Sequence, residues 1–390
     1  MELIIIGTGM YVSGRKTEGY GTILPSVIEY SRKYNNLTKI TVVGTNVQRA
    51  IEAKNKFLEL SHKTGVSLPI SFMPEKSDSK QSYKNIIENL NKSSCVIVAV
   101  PDHLHYEIIK FVIERGHHCL VVKPLTPTLN EGKKLIEIQK KYNAYGVVEF
   151  HKRWDRQNRM LRDEFQSGKF GNPLYTWTEY SQRKSIPSYV FKSWVLKNNI
   201  LQYLGVHYID IIRFVTGASP RRVMAIGQKS WLKDNNLDVY DSIQCILEWE
   251  TRSNIKFTQT LLVNWIDPEN TSAMSDQNIK FVGSKGRFEG DQKNRGVLSV
   301  TDNKKIEHIN PDFCRSYQTN NDKMIWEGYG VDSIKSFLND VYQIINKGRT
   351  PKYFDDLRPT FAESLFSTAV IEAANISLNS SSKWQNIENI

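Results

Sequence analysis

The sequence predicts an α/β protein built from two domains. In residues 1–150, five short apolar runs alternate with amphipathic segments of helical period. Such runs are typical of strands that are buried on both faces, so they indicate a parallel sheet covered by helices. From residue 151 onward, closely spaced segments alternate apolar and polar residues, which indicates a largely antiparallel sheet with one covered face. We therefore expect one domain over 1–150 and a second over 151–390.

Each element of the first domain follows from its local pattern. Strands are predicted where apolar and β-branched residues run without interruption, at 2–6, 39–44, 95–100, 118–124 and 145–150. Helices are predicted where apolar residues recur at helical spacing, at 22–34, 47–65, 81–91, 103–116 and 129–143. Gly65 and Gly116 end two of these helices, in keeping with the preference of helix C-termini for glycine.

The second domain has fewer helices and more turns. Helices are predicted at about 155–167, 200–216, 329–346 and 358–378. Strand-like segments separated by turns are predicted at 221–228, 240–250, 254–265, 278–290, 296–302 and 304–309. The last dozen residues are rich in Ser and Asn, and we expect them to be frayed.

Composition bears on four possible properties: a membrane span, a signal peptide, a metal or disulfide site, and nucleic-acid binding. No apolar run approaches the roughly 20 residues that a membrane-spanning helix needs, and the N-terminus lacks the basic stretch of a signal peptide. We therefore expect a cytoplasmic protein without a membrane partner. The four cysteines lack the spacing of a metal cluster or a disulfide framework. The net charge of +11 is spread along the chain, which disfavours nucleic-acid binding and fits an anionic small ligand.

A glycine-rich stretch, GTGMYVSGRKTEGYG (7–21), lies between the first strand and the first helix. A phosphate-binding loop needs this context, because a helix N-terminus offers unpaired N–H groups to a pyrophosphate. Gly7 and Gly9 keep the spacing of a dinucleotide fingerprint, whose third glycine would fall at Val12. We predict that a dinucleotide binds at Gly7, Thr8, Gly9 and Met10, with an extended loop at 10–21. The alternative is a turn that only reverses the chain.

The residues after the second strand bear on which dinucleotide binds. An acidic side chain there commonly binds the ribose 2′-hydroxyl of NAD, but Gly44, Thr45 and Asn46 supply none. Thr45 and Asn46 can hydrogen-bond a ribose, and Arg49 can meet a 2′-phosphate or remain a solvated helix residue. NAD and NADP therefore both remain open as the cofactor.

The segment AVPDHLHYEIIKFVIERGHHCLVVKPLT (99–126) carries a further motif. A strand ends at Pro101, His105 follows, and a Lys-Pro pair comes after the next strand. The segment resembles the Gfo/Idh/MocA family (glucose-fructose oxidoreductase / inositol dehydrogenase), in which a Glu-Lys-Pro triplet stands at that place. Lys123 and Pro124 match the triplet, and Val122 stands where the family has Glu.

Later regions carry the same resemblance. LQYLGVHYIDIIRFVTG (201–217) resembles the family's G-x-H-x-x-D helix through Gly205, His207 and Asp210. The family's late sheet hairpin and terminal helix resemble 281–291 and 362–377. The resemblance thus covers nearly the whole chain.

The resemblance implies both an architecture and an activity. The N-terminal domain would be a Rossmann-type doubly wound parallel sheet, and the C-terminal domain an α+β fold whose open, largely antiparallel sheet often forms a homo-oligomer interface. NAD or NADP would be the cofactor, and a sugar-like polyol the substrate, oxidised or reduced at a carbinol carbon. Val100, Pro101 and His105 are then expected at the cofactor, and Lys123 between the nicotinamide ribose and the substrate hydroxyl.

Hydride transfer from a secondary alcohol needs a base for the hydroxyl proton and a cation for the developing alkoxide. By the resemblance, Lys123 is expected to polarise the C–O bond and His207 to act as the base. Tyr203 lies four residues before His207, where the family commonly has Asp, and is expected to be an accessory proton donor. Asp210 is expected to orient His207 or to bind substrate, and Arg153 to bind substrate.

Other interpretations of these residues and of the whole chain stay open. Lys123 and Arg153 are alternatively solvated charges, and His207 a satisfied core residue. We expect an NAD(P)-dependent oxidoreductase that acts on a sugar or nucleotide-linked sugar. One alternative is a lyase or glycosidase that oxidises its sugar transiently and then returns the hydride. Another is a catalytically silent regulatory protein that binds NAD(P).

Overall fold

The computed structural model describes residues 1–390 except 91–92, 191–193, 294, 303 and 389, and except the side chains of 304 and 305. Its α-helices are α1 (Met10–Ser13), α2 (Ile23–Tyr34), α3 (Val47–Thr64), α4 (Ser82–Glu88), α5 (His105–Ile113), α6 (Leu129–Tyr142), α7 (Arg156–Gln166), α8 (Val206–Thr216), α9 (Trp231–Asp234), α10 (Tyr329–Lys347) and α11 (Phe361–Asn379). Its strands are β1 (Glu2–Ile6), β2 (Lys39–Val43), β3 (Ile70–Met73), β4 (Cys95–Val98), β5 (His118–Val122), β6 (Gly146–Glu149), β7 (Pro173–Arg183), β8 (Ser219–Gln228), β9 (Ser242–Glu250), β10 (Lys256–Asp267), β11 (Ser275–Gly283), β12 (Gly286–Asp291), β13 (Leu298–Thr301), β14 (Lys304–His308), β15 (Arg315–Gln318), β16 (Met324–Glu327) and β17 (Gln385–Asn386).

The first sheet consists of six parallel strands in the order β3-β2-β1-β4-β5-β6. Leu3, Ile4 and Ile5 of β1 are 0% exposed, as expected for a sheet covered on both faces. The prediction of an α/β fold with a Rossmann-type parallel sheet is therefore confirmed. The strand order reverses between β1 and β4, and sheets of this kind bind ligands at the carboxyl ends of the strands beside that reversal.

Strand β3 is absent from the predicted elements. It has only four residues, and Pro69 and Pro74 flank it. Proline cannot donate to a strand ladder, so a segment enclosed by prolines does not suggest a strand. The pairing of β3 with β2 brings the loop after Met73 back to the end of β2, where the Gly44 N–H donates to the Met73 carbonyl at 2.9 Å.

The second sheet has seven strands in the order β12-β11-β7-β10-β9-β8-β17. All neighbouring pairs are antiparallel except β7 and β10, which run parallel. Buried and less buried residues alternate along β10, so the prediction of a largely antiparallel sheet with one covered face is confirmed. The predicted strands omit β7, although PLYTWTEYSQR also alternates along much of its length.

The C-terminal tail packs onto the second sheet. Its strand β17 pairs with β8, and Ile387 is 6% exposed. The expectation that the last dozen residues are frayed is therefore wrong for this part of the tail. Among the described residues, none of the helices combines the length and the apolar character that crossing a bilayer requires.

The chain divides into two compact units. The first contains Met1–Trp154 and Asp312–Ser364, and the second contains Asp155–Pro311 and Leu365–Ile390. The predicted domains, 1–150 and 151–390, differ from these units chiefly in residues 312–364, which pack with the first unit.

Helix α10 accounts for much of that difference. Its apolar residues Val331, Ile334 and Phe337 belong to the same buried core as Leu3 and Ile5 of β1. An amphipathic pattern identifies the buried face of a helix but does not say which sheet covers that face. The sequence position of α10, after the strands of the second sheet, therefore does not reveal where it packs.

Candidate active site

Gly7 directly follows β1 at the point where the strand order reverses. Its N–H donates to the carbonyl oxygen of Val43 in β2 at 2.8 Å, and its φ is +126°. A Cβ at this position would lie 2.2 Å from the carbonyl oxygen of Ala99, which follows β4. Glycine alone fits this conformation and this spacing, so the fold itself requires Gly7.

Gly9, by contrast, is not required by contacts within the described structure. Its φ is −77°, and a Cβ built on it would meet no described atom within 4 Å. The space beside Gly9 is therefore open, as a backbone that closely approaches a phosphate needs it to be. Thr8 before it is buried, and Met10 after it is 38% exposed. The residues present thus fit the pyrophosphate of a dinucleotide.

The stretch after Gly9 contains a one-turn helix that the predicted loop lacks. Helix α1 is capped at its C-terminus by Gly14, whose φ is +71°, and the Thr22 N–H donates to the Tyr11 carbonyl at 2.8 Å where the chain returns. Within the loop, Nε of Arg15 donates to the carbonyl oxygen of Thr8 at 3.2 Å. A cation therefore lies against the candidate phosphate loop. No sequence motif points to this arginine, because its partners are a backbone atom and Glu52 of α3, whose Oε2 lies 3.6 Å from its Nη1.

A carboxylate from another loop, that of Asp78, lies at the end of β2, where the residues that directly follow the strand supply none. Asn46 caps α3 by accepting a hydrogen bond from the Arg49 N–H at 3.0 Å, and its amide donates to Asp78 at 2.6 Å. Asp78, in the loop after β3, also accepts from the Val47 N–H at 2.8 Å. These two hydrogen bonds, the one from Val47 first, lower the pKa of Asp78. Thr45, the neighbouring ribose candidate, is exposed.

His105 is fully buried at the start of α5. Its Nε2 lies 3.0 Å from the carbonyl oxygen of Val100, and its Nδ1 lies 2.9 Å from the carbonyl oxygen of Pro124. The imidazole thus joins the loop after β4, where Pro101 is exposed, to the loop after β5. Both ring nitrogens of His105 therefore lie within hydrogen-bond distance of backbone carbonyl oxygens. A contact of His105 with the cofactor stays a prediction.

Lys123 follows β5 and is half-buried. Burial lowers its pKa to about 7. The negative charges of Asp102 and Glu149 act in the opposite direction, whereas the positive charge of Lys152 lowers the pKa further. An amine with such a pKa exchanges its proton near neutral pH. Asp102, Glu149 and Lys152 are each at most 3% exposed, so these charges are withdrawn from water. We call Asp102, Lys123, Glu149 and Lys152 the strand-end cluster.

In the second unit, Tyr203 and His207 lie on one irregular helix. Leu201–Gly205 forms a π turn that continues into α8. The predicted regular helix at 200–216 misses this turn, and the spacing of four residues from Tyr203 to His207 therefore differs from one α-helical turn. A Cβ at Gly205 would lie 2.5 Å from Cδ1 of Leu201, so a larger residue here would require that side chain to shift. π turns inserted in helices are frequent at functional sites.

Tyr203 lies among aromatic rings. Its ring centroid is 5.3 Å from that of Trp194 and 5.8 Å from that of Trp265. Burial raises its pKa, so the phenol keeps its proton at neutral pH. His207 and Asp210, both 3% exposed, follow on α8. We call Tyr203, His207 and Asp210 the helix cluster.

Arg153 is buried and ion-paired. It lies in a 3₁₀ turn, His151–Trp154, and its Nη2 is 3.7 Å from Oε2 of Glu363. The turn precedes α7, so Arg153 does not share a helix with the arginines at 156, 159 and 162. A contact of Arg153 with substrate stays a prediction.

The structure thus groups the predicted residues by unit. The first unit holds the strand-end cluster, Arg153 and all the predicted cofactor-binding residues, namely Gly7–Met10, Thr45, Asn46, Arg49, Val100, Pro101, His105 and Lys123. The second unit holds the helix cluster. In the part of the chain that the structure describes, no group of His, Cys, Asp and Glu residues is arranged to hold a metal ion.

Two family models match the chain. Residues 19–150 match an oxidoreductase family with an NAD-binding Rossmann fold (GFO/IDH/MocA), and residues 158–289 match the GFO/IDH/MocA C-terminal domain. The first match begins after Gly7–Met10, so the open space beside Gly9 is independent support for the phosphate loop.

The individual proteins that resemble this chain have low sequence identity to it. The rhizopine catabolism protein MocA of Rhizobium meliloti is 26% identical over 125 residues, which are 32% of this chain and 38% of that protein. The myo-inositol 2-dehydrogenase of Thermotoga maritima is 25% identical over 241 residues, which are 59% of this chain and 66% of that protein. Both matches span less than two thirds of the relative's length.

A solved structure resembles the whole chain. The scyllo-inositol dehydrogenase of Lactobacillus casei, with bound NAD(H) and scyllo-inositol, matches 99% of this chain and 98% of its own with a TM-score of 0.69. The identity is 14%, so this likeness shows that the fold is shared.

Proposed function

The chain belongs to the Gfo/Idh/MocA oxidoreductase family, and from this we propose that it transfers a hydride between NAD or NADP and a secondary alcohol or ketone of a sugar or nucleotide-linked sugar. The observation that carries the proposal is Lys123, an amine of pKa about 7 at the carboxyl edge of a sheet whose first strand ends in an open glycine loop. The inositol dehydrogenases among the similar proteins support a polyol-like substrate.

The first unit would bind the cofactor and polarise the substrate. The nicotinamide, when bound, supplies or accepts the hydride. Gly9 leaves room for the pyrophosphate, and His105 fixes the loops that carry Val100 and Lys123. The protonated amine of Lys123 donates a hydrogen bond to the substrate oxygen and stabilises the negative charge that develops there.

The helix cluster would handle the proton of the substrate hydroxyl. We assign the role of base to His207, because imidazole accepts a proton near neutral pH. Tyr203 keeps its proton, so it serves as a hydrogen-bond donor and not as the base. Asp210, on the same helix, would orient the imidazole or bind a substrate hydroxyl.

The second sheet supports a homo-oligomer. Its exposed face carries Tyr175 and Trp177 of β7, Ile226 of β8 and Ile246 of β9, which are between 37% and 47% exposed. Trp177 and Ile246 lie in one row, since both are in register with Thr260 of β10. A row of aromatic and aliphatic side chains on an open sheet is typical of a surface that packs against another chain.

The test combines binding and turnover. Binding of NAD and NADP is measured by calorimetry, and inositols, free sugars and sugar nucleotides are then screened for a change in absorbance of the reduced cofactor. We expect Lys123→Met to bind cofactor within a few-fold of the wild type and to lower kcat by about 10²–10³-fold. Lys347→Met, which removes an exposed lysine at the end of α10, is the matched control. A Lys123→Met variant with the native rate would remove this catalytic assignment.

Two other outcomes would point to the alternative functions. Sugar conversion without net release of reduced cofactor indicates a lyase or glycosidase that returns the hydride. Tight cofactor binding without hydride exchange on any substrate indicates a regulatory protein.

A further inference from the structure

Glu149 lies beside Val122, which by the resemblance stands where the family has Glu. The register of β5 and β6 pairs Val122 with Glu149. Residues that are paired on neighbouring parallel strands project to the same face of a sheet, about 4.8 Å apart. Glu149 therefore places a carboxylate beside Val122, on the same face of the sheet and at the same level.

The surroundings of Glu149 hold this carboxylate in a defined position. Its Oε1 accepts a hydrogen bond from Oγ of Ser333 on α10 at 2.6 Å, and its Oε2 lies 2.9 Å from Nδ1 of His151. The residue is 3% exposed. A buried carboxylate is stable only when hydrogen bonds or positive charges compensate for the loss of water, and Glu149 has both kinds of neighbour.

The charges around Lys123 and Glu149 come from four elements. Lys123 is influenced by Asp102 after β4, by Glu149 at the end of β6 and by Lys152 in the turn that follows. Glu149 also acts on the phenol of Tyr11 in α1. Removal of Glu149 would therefore take away one of the two carboxylates that favour the protonated amine of Lys123.

We propose that Glu149 is a positioning residue for Lys123, supplying from β6 a carboxylate that Val122, the residue before the lysine, does not provide. The proposal rests on the proposed function for the catalytic role of Lys123, but the effect of Glu149 on the charge of Lys123 can be tested without it. Glu149 would stabilise the protonated amine and hold it at the carboxyl edge of the sheet. A purely structural role, confined to the hydrogen bonds with Ser333 and His151, would leave the titration of Lys123 unaffected.

The experiment follows the titration of Lys123 in the intact protein without cofactor or substrate. The lysines are reductively methylated with isotopically labelled formaldehyde, and the signal that is missing in Lys123→Arg is monitored by NMR against pH. We expect Glu149→Gln to move the midpoint of that signal down by about 1 pH unit, because the amine loses a neighbouring negative charge. Glu137→Gln removes an exposed carboxylate of α6 and is the matched control.

A second variant transfers the carboxylate to the neighbouring strand. In Val122→Glu/Glu149→Gln, the midpoint should return toward the wild-type value. Equal midpoints for Glu149→Gln and Glu137→Gln would overturn the proposal. If Glu149→Gln does not fold, the double variant is the deciding measurement. A titration midpoint of Lys123 near that of the wild type then supports the proposal, and a midpoint at least 1 pH unit lower overturns it. None of these readings requires hydride transfer, so failure of the proposed function would be recognised separately.

Discussion

The strand-end cluster and the helix cluster bury titratable groups in opposite ways. Around Lys123, charges of both signs come from the ends of neighbouring strands, and burial lowers the pKa of the amine to about 7. Around Tyr203, aromatic rings predominate, and burial raises the pKa of the phenol. Because burial disfavours the charged form of each group, it brings the pKa of the amine close to neutral pH and moves the pKa of the phenol further above it.

This difference separates the roles that the two clusters can have. Lys123 can change its protonation state near neutral pH, so its charge depends on which carboxylates lie beside it. Tyr203 keeps its proton at neutral pH, so it is not expected to act as a base. In our proposal the proton acceptor of the helix cluster is therefore His207. The predictions below test this division.

The largest effect is expected at His207. If it is the base, His207→Gln should lower kcat/KM by about 10²–10⁴-fold, because glutamine cannot accept the hydroxyl proton. Tyr203→Phe removes one hydrogen-bond donor and should lower it by about 10-fold. The measurement is steady-state turnover of the best substrate as a function of pH. A greater loss in Tyr203→Phe than in His207→Gln would reverse the two assignments.

The next effect compares Gly7 with Gly9 in the first unit. Gly7→Ala should lower the free energy of unfolding by about 3 kcal/mol, since its Cβ would collide with the Ala99 carbonyl. Gly9→Ala should change it by less than about 0.5 kcal/mol, since the new methyl meets only open space. Denaturant unfolding measures both values.

Cofactor binding is the second test of the difference between Gly7 and Gly9. Gly9→Ala should weaken the binding of the dinucleotide by about 10-fold or more, because the methyl group takes the space left for the pyrophosphate. Calorimetry of the folded variant measures this. Native affinity in Gly9→Ala would mean that the loop reverses the chain without holding a phosphate.

The strands of the first sheet show how far the sequence alone could predict the fold. Continuous apolar runs located β1, β2, β4, β5 and β6, because strands buried on both faces need such residues throughout. The partners across the sheet were not predictable in the same way. That Glu149 pairs with Val122 depends on the register of β5 and β6, and no local pattern contains it.

In the candidate site too, local patterns indicated single residues but not partners that are distant in the sequence. Short motifs indicated Gly7, Gly9, Lys123 and His207, because each belongs to a pattern of neighbouring residues. Asp78 was missed, because it is 32 residues from Asn46 and reaches it only through the unpredicted strand β3.

Asp78 provides the smallest predicted effect and a contrast with Glu149, since it is an exposed carboxylate at a strand end. An acidic group near the end of β2 binds the ribose hydroxyls of NAD and repels the 2′-phosphate of NADP. Asp78→Asn can still accept the Val47 N–H but loses the charge, so we expect the affinity for NADP relative to NAD to rise by about 3–10-fold. Calorimetry with both dinucleotides measures the ratio, and Glu75→Gln in the same loop is the control. An unchanged ratio would confine Asp78 to capping α3.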